Sequence, residues 1–112
     1  MKLSEKQQVF TRQVAQLILW IEQQGWACTL GECYRTIEQQ RRYVEQGKSQ
    51  TMRSKHLERL AVDLNLFLDG KYQHGVEAYR PLGEYWKQLD SANRWGGDWS
   101  TLRDAVHFER VE

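Results

Sequence analysis

The sequence has one proline, two cysteines and three histidines in 112 residues, with no excess of either charge. Each shortage excludes something. Cys28 and Cys33 are five positions apart in a stretch that reads as extended, where an odd separation sends side chains to opposite faces, so no disulfide between them is expected. With no Cys-x-x-Cys pattern, both read as core or near-core thiols of a chain made in a reducing compartment. No apolar run approaches the roughly 18 residues of a membrane span, and Met1 to Gln8 lack the apolar segment of a secretory signal. A protein that stays in the cytoplasm and does not insert into membranes is expected. Sixteen basic against fifteen acidic residues give a formal charge of +1, which removes any global case for a nucleic-acid partner. A local case is confined to Arg35 through Arg59, where seven basic residues face only Glu38, Glu45 and Glu58. That stretch reads as a solvated helix face and loop, with attraction to an anionic polymer as the alternative.

What is present suffices for a packed core. The hydrophobic fraction is 40%, with five Trp, five Tyr and three Phe, and the length suits one domain over 1–112. Ser4 with Gln7 forms a capping-box pattern, and Val9, Phe10, Val14, Leu17, Ile18 and Ile21 recur at helical spacing, predicting a helix over 4–24 closed by Gly25. Residues 26–34 lack a helical period and mix β-branched, aromatic and small residues, as a strand running into a loop does. Thr36 with Gln39 starts a short helix over 37–46 that Gly47 closes. Residues 61–68 alternate, with Val62, Leu64, Leu66 and Leu68 on one face and Asp63 on the other, as in a central strand. Asp69-Gly70 is a hairpin signal leading to a short strand. Pro81 suits the first turn of a helix whose stripe is Leu82, Tyr85, Trp86 and Leu89, while residues 74–80 show no clear pattern. Residues 93–99 read as a glycine-broken aromatic loop, and 106–111 as a last strand. The fold expected is α+β: a small antiparallel sheet packed with about three helices.

The chemistry concentrates at two segments. A catalytic zinc takes three protein ligands and keeps one position open, and His56, Asp63 and His107 supply such a set if the last strand neighbours the first. A carboxylate on the polar face of an apolar strand is costly to bury without a cation or hydrogen bonds, which favours this use of Asp63. Asp104 enters the last strand three residues before His107 and suits a general base. His74 reads as a surface-loop residue. Tyr72, Trp95 and Trp99 are candidates to line a cleft and stack on peptide or sugar, although aromatics at this density also build cores.

Ser54-x-His56, Ala61-x-Asp63 and Asp104-x-x-His107-Phe108-Glu109 together resemble the signature of the VanY-like zinc peptidases. That family comprises D-alanyl-D-alanine carboxypeptidases and dipeptidases and the L-alanyl-D-glutamate endopeptidases of phage endolysins. Tyr34-Arg35-Thr36 with its following helix, and Trp95-Gly96-Gly97-Asp98-Trp99, extend the resemblance over most of the chain. It implies a hedgehog/DD-peptidase-like fold, Zn2+ on His56, Asp63 and His107, Asp104 as base, and Arg35 binding substrate and stabilising the oxyanion with two parallel donors. Ser54 is implied to orient the loop or touch substrate. The implied substrate is the peptidoglycan stem peptide, cut by a monomer released from the host cytoplasm to the wall. Asp at position 104 resembles the endolysin branch. Arg59 departs from the glycine common in the family, so the turn between His56 and Asp63 is expected to differ or to avoid a left-handed conformation. Rival readings are a D-Ala-D-Ala carboxypeptidase or dipeptidase, and a non-enzymatic wall-binding or virion-associated module.

Overall fold

A computed structural model describes residues 1–112. Its elements run α1 (Leu3–Gln23), β1 (Ala27–Leu30), α2 (Ile37–Glu45), β2 (Ala61–Leu68), β3 (Lys71–Tyr72), α3 (Val76–Leu89), β4 (Asn93–Trp95) and β5 (His107–Arg110), with 3-10 turns at Lys55–Glu58 and Gly96–Asp98. Three helices accompany one five-stranded antiparallel sheet of order β1-β2-β5-β4, with β3 paired to the far end of β2.

The alternation of β2 sends Val62, Leu64 and Leu66 to one face, where they join Phe10, Leu17 and Ile21 of α1, Leu82 and Trp86 of α3, and Phe108 of β5 in the buried core. Alpha-helical spacing on α1 and α3 supplies the covering stripes. The amphipathic pattern of both layers therefore fixes which face of β2 is apolar, and Asp63 must point the other way. Two donors carried into the core are paired: Trp86 Nε1–H is shared between the carbonyls of Arg94 and Glu109 at 3.1 and 3.2 Å, and Gln13 Nε2 donates to Asp90 at 3.0 Å.

Several local expectations change. The first helix begins at Leu3, and its N-cap is Lys2 rather than the expected Ser4: the Lys2 backbone N–H donates to the Glu5 carboxylate at 2.9 Å, and Ser4 lies inside the helix. Pro81 is not in the first turn of α3 but inside it, because Val76 and Tyr79 bury on the core and start the helix earlier. The missing proline N–H leaves the Glu77 carbonyl without its helical donor, at an exposed position where water can serve instead. Asn93–Trp95 form a strand rather than a loop, since pairing with β5 satisfies their backbone. Cys33 is exposed rather than near-core, while Cys28 packs against the core; both thiols are free. Asp69 and Gly70 both take positive φ, 52° and 76°, as the expected two-residue hairpin requires.

Candidate metal centre and cleft

Register builds the centre. Antiparallel pairing sets Asp63 of β2 directly opposite His107 of β5, and side chains directly opposite on one face have Cβ atoms about 4.5–5.5 Å apart. The third donor comes from the 3-10 turn Lys55–Glu58, which Ser54 caps by accepting from the His56 N–H at 3.3 Å. This turn can deliver His56 over β2 because Arg59 ends it in a left-handed conformation, φ 55° and ψ 37°. Of the two alternatives expected for this turn, avoidance of a left-handed conformation at Arg59 is thus ruled out. The strain of about 1–2 kcal/mol for a residue with a Cβ is offset by the Arg59 guanidinium lying 4.2 Å over the Tyr34 ring.

The three donor atoms form a tight triangle. His56 Nε2 and His107 Nδ1 are 3.2 Å apart, and Asp63 Oδ1 is 3.3 Å from the first and 3.5 Å from the second. His56 and His107 are 1% and 4% exposed, so little water reaches them. The opposite nitrogen of each ring is held: His56 Nδ1–H donates to the Cys33 carbonyl at 2.8 Å, and His107 Nε2–H to Glu109 Oε1 at 2.6 Å. In the neutral rings the nitrogens facing the centre therefore carry lone pairs. Asp63 Oδ1 is buried and accepts no hydrogen bond. Two lone pairs and an orphaned carboxylate oxygen so close together demand a cation, and these three residues can hold a metal ion.

The electrostatics show the same demand. Burial opposes the Asp63 charge, but the imidazoles of His107 and His56 outweigh it and hold the carboxyl at about 2. Burial likewise opposes a charged His107, yet Asp63 and Glu109 push its pKa up to about 9. Asp104 goes the other way: burial, then the charge on Asp63, raise its carboxyl above the ordinary range, against the pull of His107, His56 and Arg35. Asp104 lines the cleft beside the centre. Its segment is anchored by the Asp104 N–H donating to the Gly96 carbonyl and the His107 N–H donating to the Asp104 carbonyl, both at 3.1 Å. A Cβ on Gly96 would overlap the Asp104 carbonyl oxygen and stand 3.0 Å from His107 Cβ, so the close approach of these segments requires glycine there.

The cleft above the centre is about 690 Å³, within the usual span of roughly 300–1,000 Å³ for small-ligand sites. Ser54 and Trp99 both line it, and the Trp99 ring sits 4.9 Å from that of His107. Trp95 and Tyr72 do not. Trp95 is 1% exposed, its indole N–H donates to the Ala105 carbonyl at 2.7 Å, and its ring fills the space left by Gly83 and Gly97. It is core, because β4 turns it toward α3. Tyr72 lies on β3 at the far end of β2, against Phe67 and His74. His74 is exposed, as expected of a surface loop.

Arg35 reaches the cleft inside a network that composition could not foretell. Its Nε and Nη2 pair with Glu32 Oε1, and its Nη1 donates to Gln40 Oε1 at 2.7 Å and Ser54 Oγ at 3.2 Å, with Tyr43 beneath the guanidinium at 4.6 Å. Of the five N–H groups of a guanidinium, these bonds leave one, on Nη2. The two free parallel donors expected of Arg35 are not available in this arrangement. Glu32 and Gln40 are participants to which the sequence assigned no role, and Glu109 stood there only as part of the motif, with no role of its own. Its place two residues after His107, on the same face of the strand, is what points to its contact with that ring.

An α+β fold in which a buried His–Asp–His set opens on a polar cleft defines a metal-centre domain. The family model for D-alanyl-D-alanine carboxypeptidase matches residues 47–110, and the chain belongs to that family of M15 peptidases. It is 38% identical over 96 residues to the L-alanyl-D-glutamate peptidase of Listeria phage A118, an alignment that takes in 83% of this chain and 34% of that enzyme. The chain thus spans about a third of the length of the curated relative it matches. Among solved structures it is similar to the L-Ala D-Glu endopeptidase ChiX of Serratia marcescens, with a TM-score of 0.65, 31% identity, and coverage of 75% of this chain and 66% of that one. It also shares the fold of a vancomycin-resistance D,D-pentapeptidase VanY, solved with Zn(II), with a TM-score of 0.62, 20% identity, and coverage of 92% and 71%.

Proposed function

We propose that residues 1–112 form one catalytic unit, a zinc-dependent peptidase that hydrolyses the L-alanyl-D-glutamate bond of the peptidoglycan stem peptide. One observation carries the zinc assignment. Ligands held tetrahedrally at about 2.0–2.1 Å from zinc have mutual separations of about 3.3–3.4 Å, and the three donors here stand 3.2, 3.3 and 3.5 Å apart. His56, Asp63 and His107 are the ligands in this reading. Bound there, zinc supplies Lewis acidity to a carbonyl and makes a water acidic near neutral pH.

The chain's own residues do the rest. Asp104 takes the proton of the attacking water and passes it to the leaving amine, a role that its raised pKa and its place in the cleft suit. The remaining Nη2–H of Arg35 offers one charge-assisted donor to the carbonyl oxygen as it gathers charge. Ser54 holds both the His56 turn and the Arg35 guanidinium. Trp99, beside His107, supplies a flat wall on which a peptide plane can lie. No helix is long and apolar enough to cross a membrane.

The choice of bond rests on the phage and Serratia relatives, whose names specify L-alanyl-D-glutamate cleavage. The family description favours a second reading, removal of a terminal D-alanine. Digestion of purified walls by zinc-loaded protein, with and without chelator, followed by mass analysis of released peptides, separates them. New free amines on D-glutamate are expected; loss of terminal D-alanine identifies the carboxypeptidase. No release of either kind by the metal-loaded chain refutes a hydrolase.

A further inference from the structure

Glu32 is a fourth acidic group at the edge of the donor triangle. Its Oε1 lies 4.0 Å from His56 Nε2, against the 3.3 Å at which Asp63 Oδ1 stands from the same nitrogen, a difference of 0.7 Å. It lines the cleft onto which the centre opens. Its backbone is fixed by the Asp63 N–H donating to the Glu32 carbonyl at 2.8 Å, so only side-chain torsions separate the carboxylate from the centre. Two side chains hold it away: Arg35 grips Oε1 through Nε and Nη2, and the Tyr43 hydroxyl donates to Oε2 at 3.3 Å. The Arg35 side chain is itself 12% exposed and anchored on its other edge by Gln40 and Ser54.

We infer that Arg35 keeps the fourth coordination position open by restraining Glu32, and that without this restraint the Glu32 carboxylate becomes a protein ligand and closes the centre. The inference rests on the metal-centre reading above. A carboxylate beside a divalent cation is drawn to it by Coulomb attraction, while the two guanidinium nitrogens on Glu32 Oε1 offer competing charge-assisted contacts. A closed, four-ligand centre binds metal without catalysing, and an open one leaves room for water and substrate. Arg35 is then a positioning residue for Glu32, in addition to the donor it can offer substrate.

The test reads coordination rather than hydrolysis. The chain, Arg35→Met, Arg35→Lys, Glu32→Gln and the double variant R35M/E32Q are loaded with Co2+, and azide is titrated while the visible spectrum is followed. Azide is expected to shift the spectra of the unaltered chain, of E32Q and of R35M/E32Q, and to leave those of R35M and R35K unchanged. R35K keeps the positive charge but loses the fork, which separates restraint from simple charge. Metal affinity alone does not discriminate, because removing any nearby cation tightens it. An azide response in R35M and R35K equal to that of the unaltered chain overturns the inference. So does a double variant that stays unresponsive. Failure of the unaltered chain to bind Co2+ refutes the metal centre, and the inference falls with it.

Discussion

Gly96→Ala is the smallest change that should take the candidate site apart. The added methyl overlaps the backbone carbonyl oxygen of Asp104, and His107 Cβ stands 3.0 Å away, closer than ordinary van der Waals contact. Neither neighbour is the tip of a flexible side chain. One is main chain, and the other is the root of a residue pinned in β5 opposite Asp63. The strain must therefore be relieved by moving backbone, which breaks the Asp104 N–H to Gly96 carbonyl bond at 3.1 Å. Overpacking of this kind costs about 1–3 kcal/mol, to which the lost hydrogen bond adds about 1 kcal/mol. For a chain of this length such a loss lowers Tm by roughly 8–15 °C. Moving His107 relative to Asp63 should also weaken metal binding by at least about tenfold, the size of effect seen when the groups orienting a ligand are disturbed. Thermal denaturation without metal reads the first effect, and a competition titration with a zinc-binding dye reads the second. A G96A protein that melts and binds zinc like the unaltered chain would show that the loop yields freely, and would refute the claim that glycine is required there.

Three further outcomes follow from the same geometry. Glu109→Gln removes the carboxylate that takes the His107 Nε2–H and should lower zinc affinity by about 10–100-fold while leaving the fold intact by circular dichroism; unchanged affinity would show that Glu109 does not orient the ring. Trp95→Ala should destabilise by about 3–5 kcal/mol in urea denaturation, whereas Trp99→Ala should keep its stability and raise KM for wall peptide; equal stability losses in the two would contradict their separate placements. Asp90 is held at about 2 by the Ala92 N–H, Gln13 and Arg110, below the roughly 3.9 of an unfolded aspartate. A depressed folded pKa adds stability that is full above about pH 4 and is lost as pH falls toward 2. Asp90→Asn should therefore flatten the acid limb of a stability-against-pH curve, and an unaltered limb would remove Asp90 from that account.

How much of this was legible in the chain depends on the range of the interaction concerned. Local patterns carried the helices, the alternation of β2, the Asp69-Gly70 hairpin and the Thr36 cap, whose hydroxyl accepts from the Gln39 N–H at 3.1 Å. They misplaced the start of α3, because Tyr79 is buried by contacts with β2 that no window around Pro81 contains: its hydroxyl accepts from the Leu66 N–H at 2.9 Å and donates to the Gln73 carbonyl at 3.1 Å. They treated Trp95 and Trp99 alike, since four residues of sequence do not say which indole turns to α3 and which to the cleft.

The same division runs through the centre. Residue chemistry made His56, Asp63 and His107 a candidate set, and the resemblance to the zinc peptidases singled them out as ligands. Residue pattern could also place Asp63 opposite the apolar face, since the period of a strand is two. Only the tertiary structure decided that β5 pairs with β2 in the register that sets His107 across from Asp63. It also decided that Arg59 accepts a left-handed turn, and that Arg35 spends most of its donors on Glu32, Gln40 and Ser54. The physical reason is that ligand identity is a property of single side chains. The distances that turn ligands into a site, and the partners that occupy a guanidinium, are properties of segments brought together by the burial of the opposite face of the sheet.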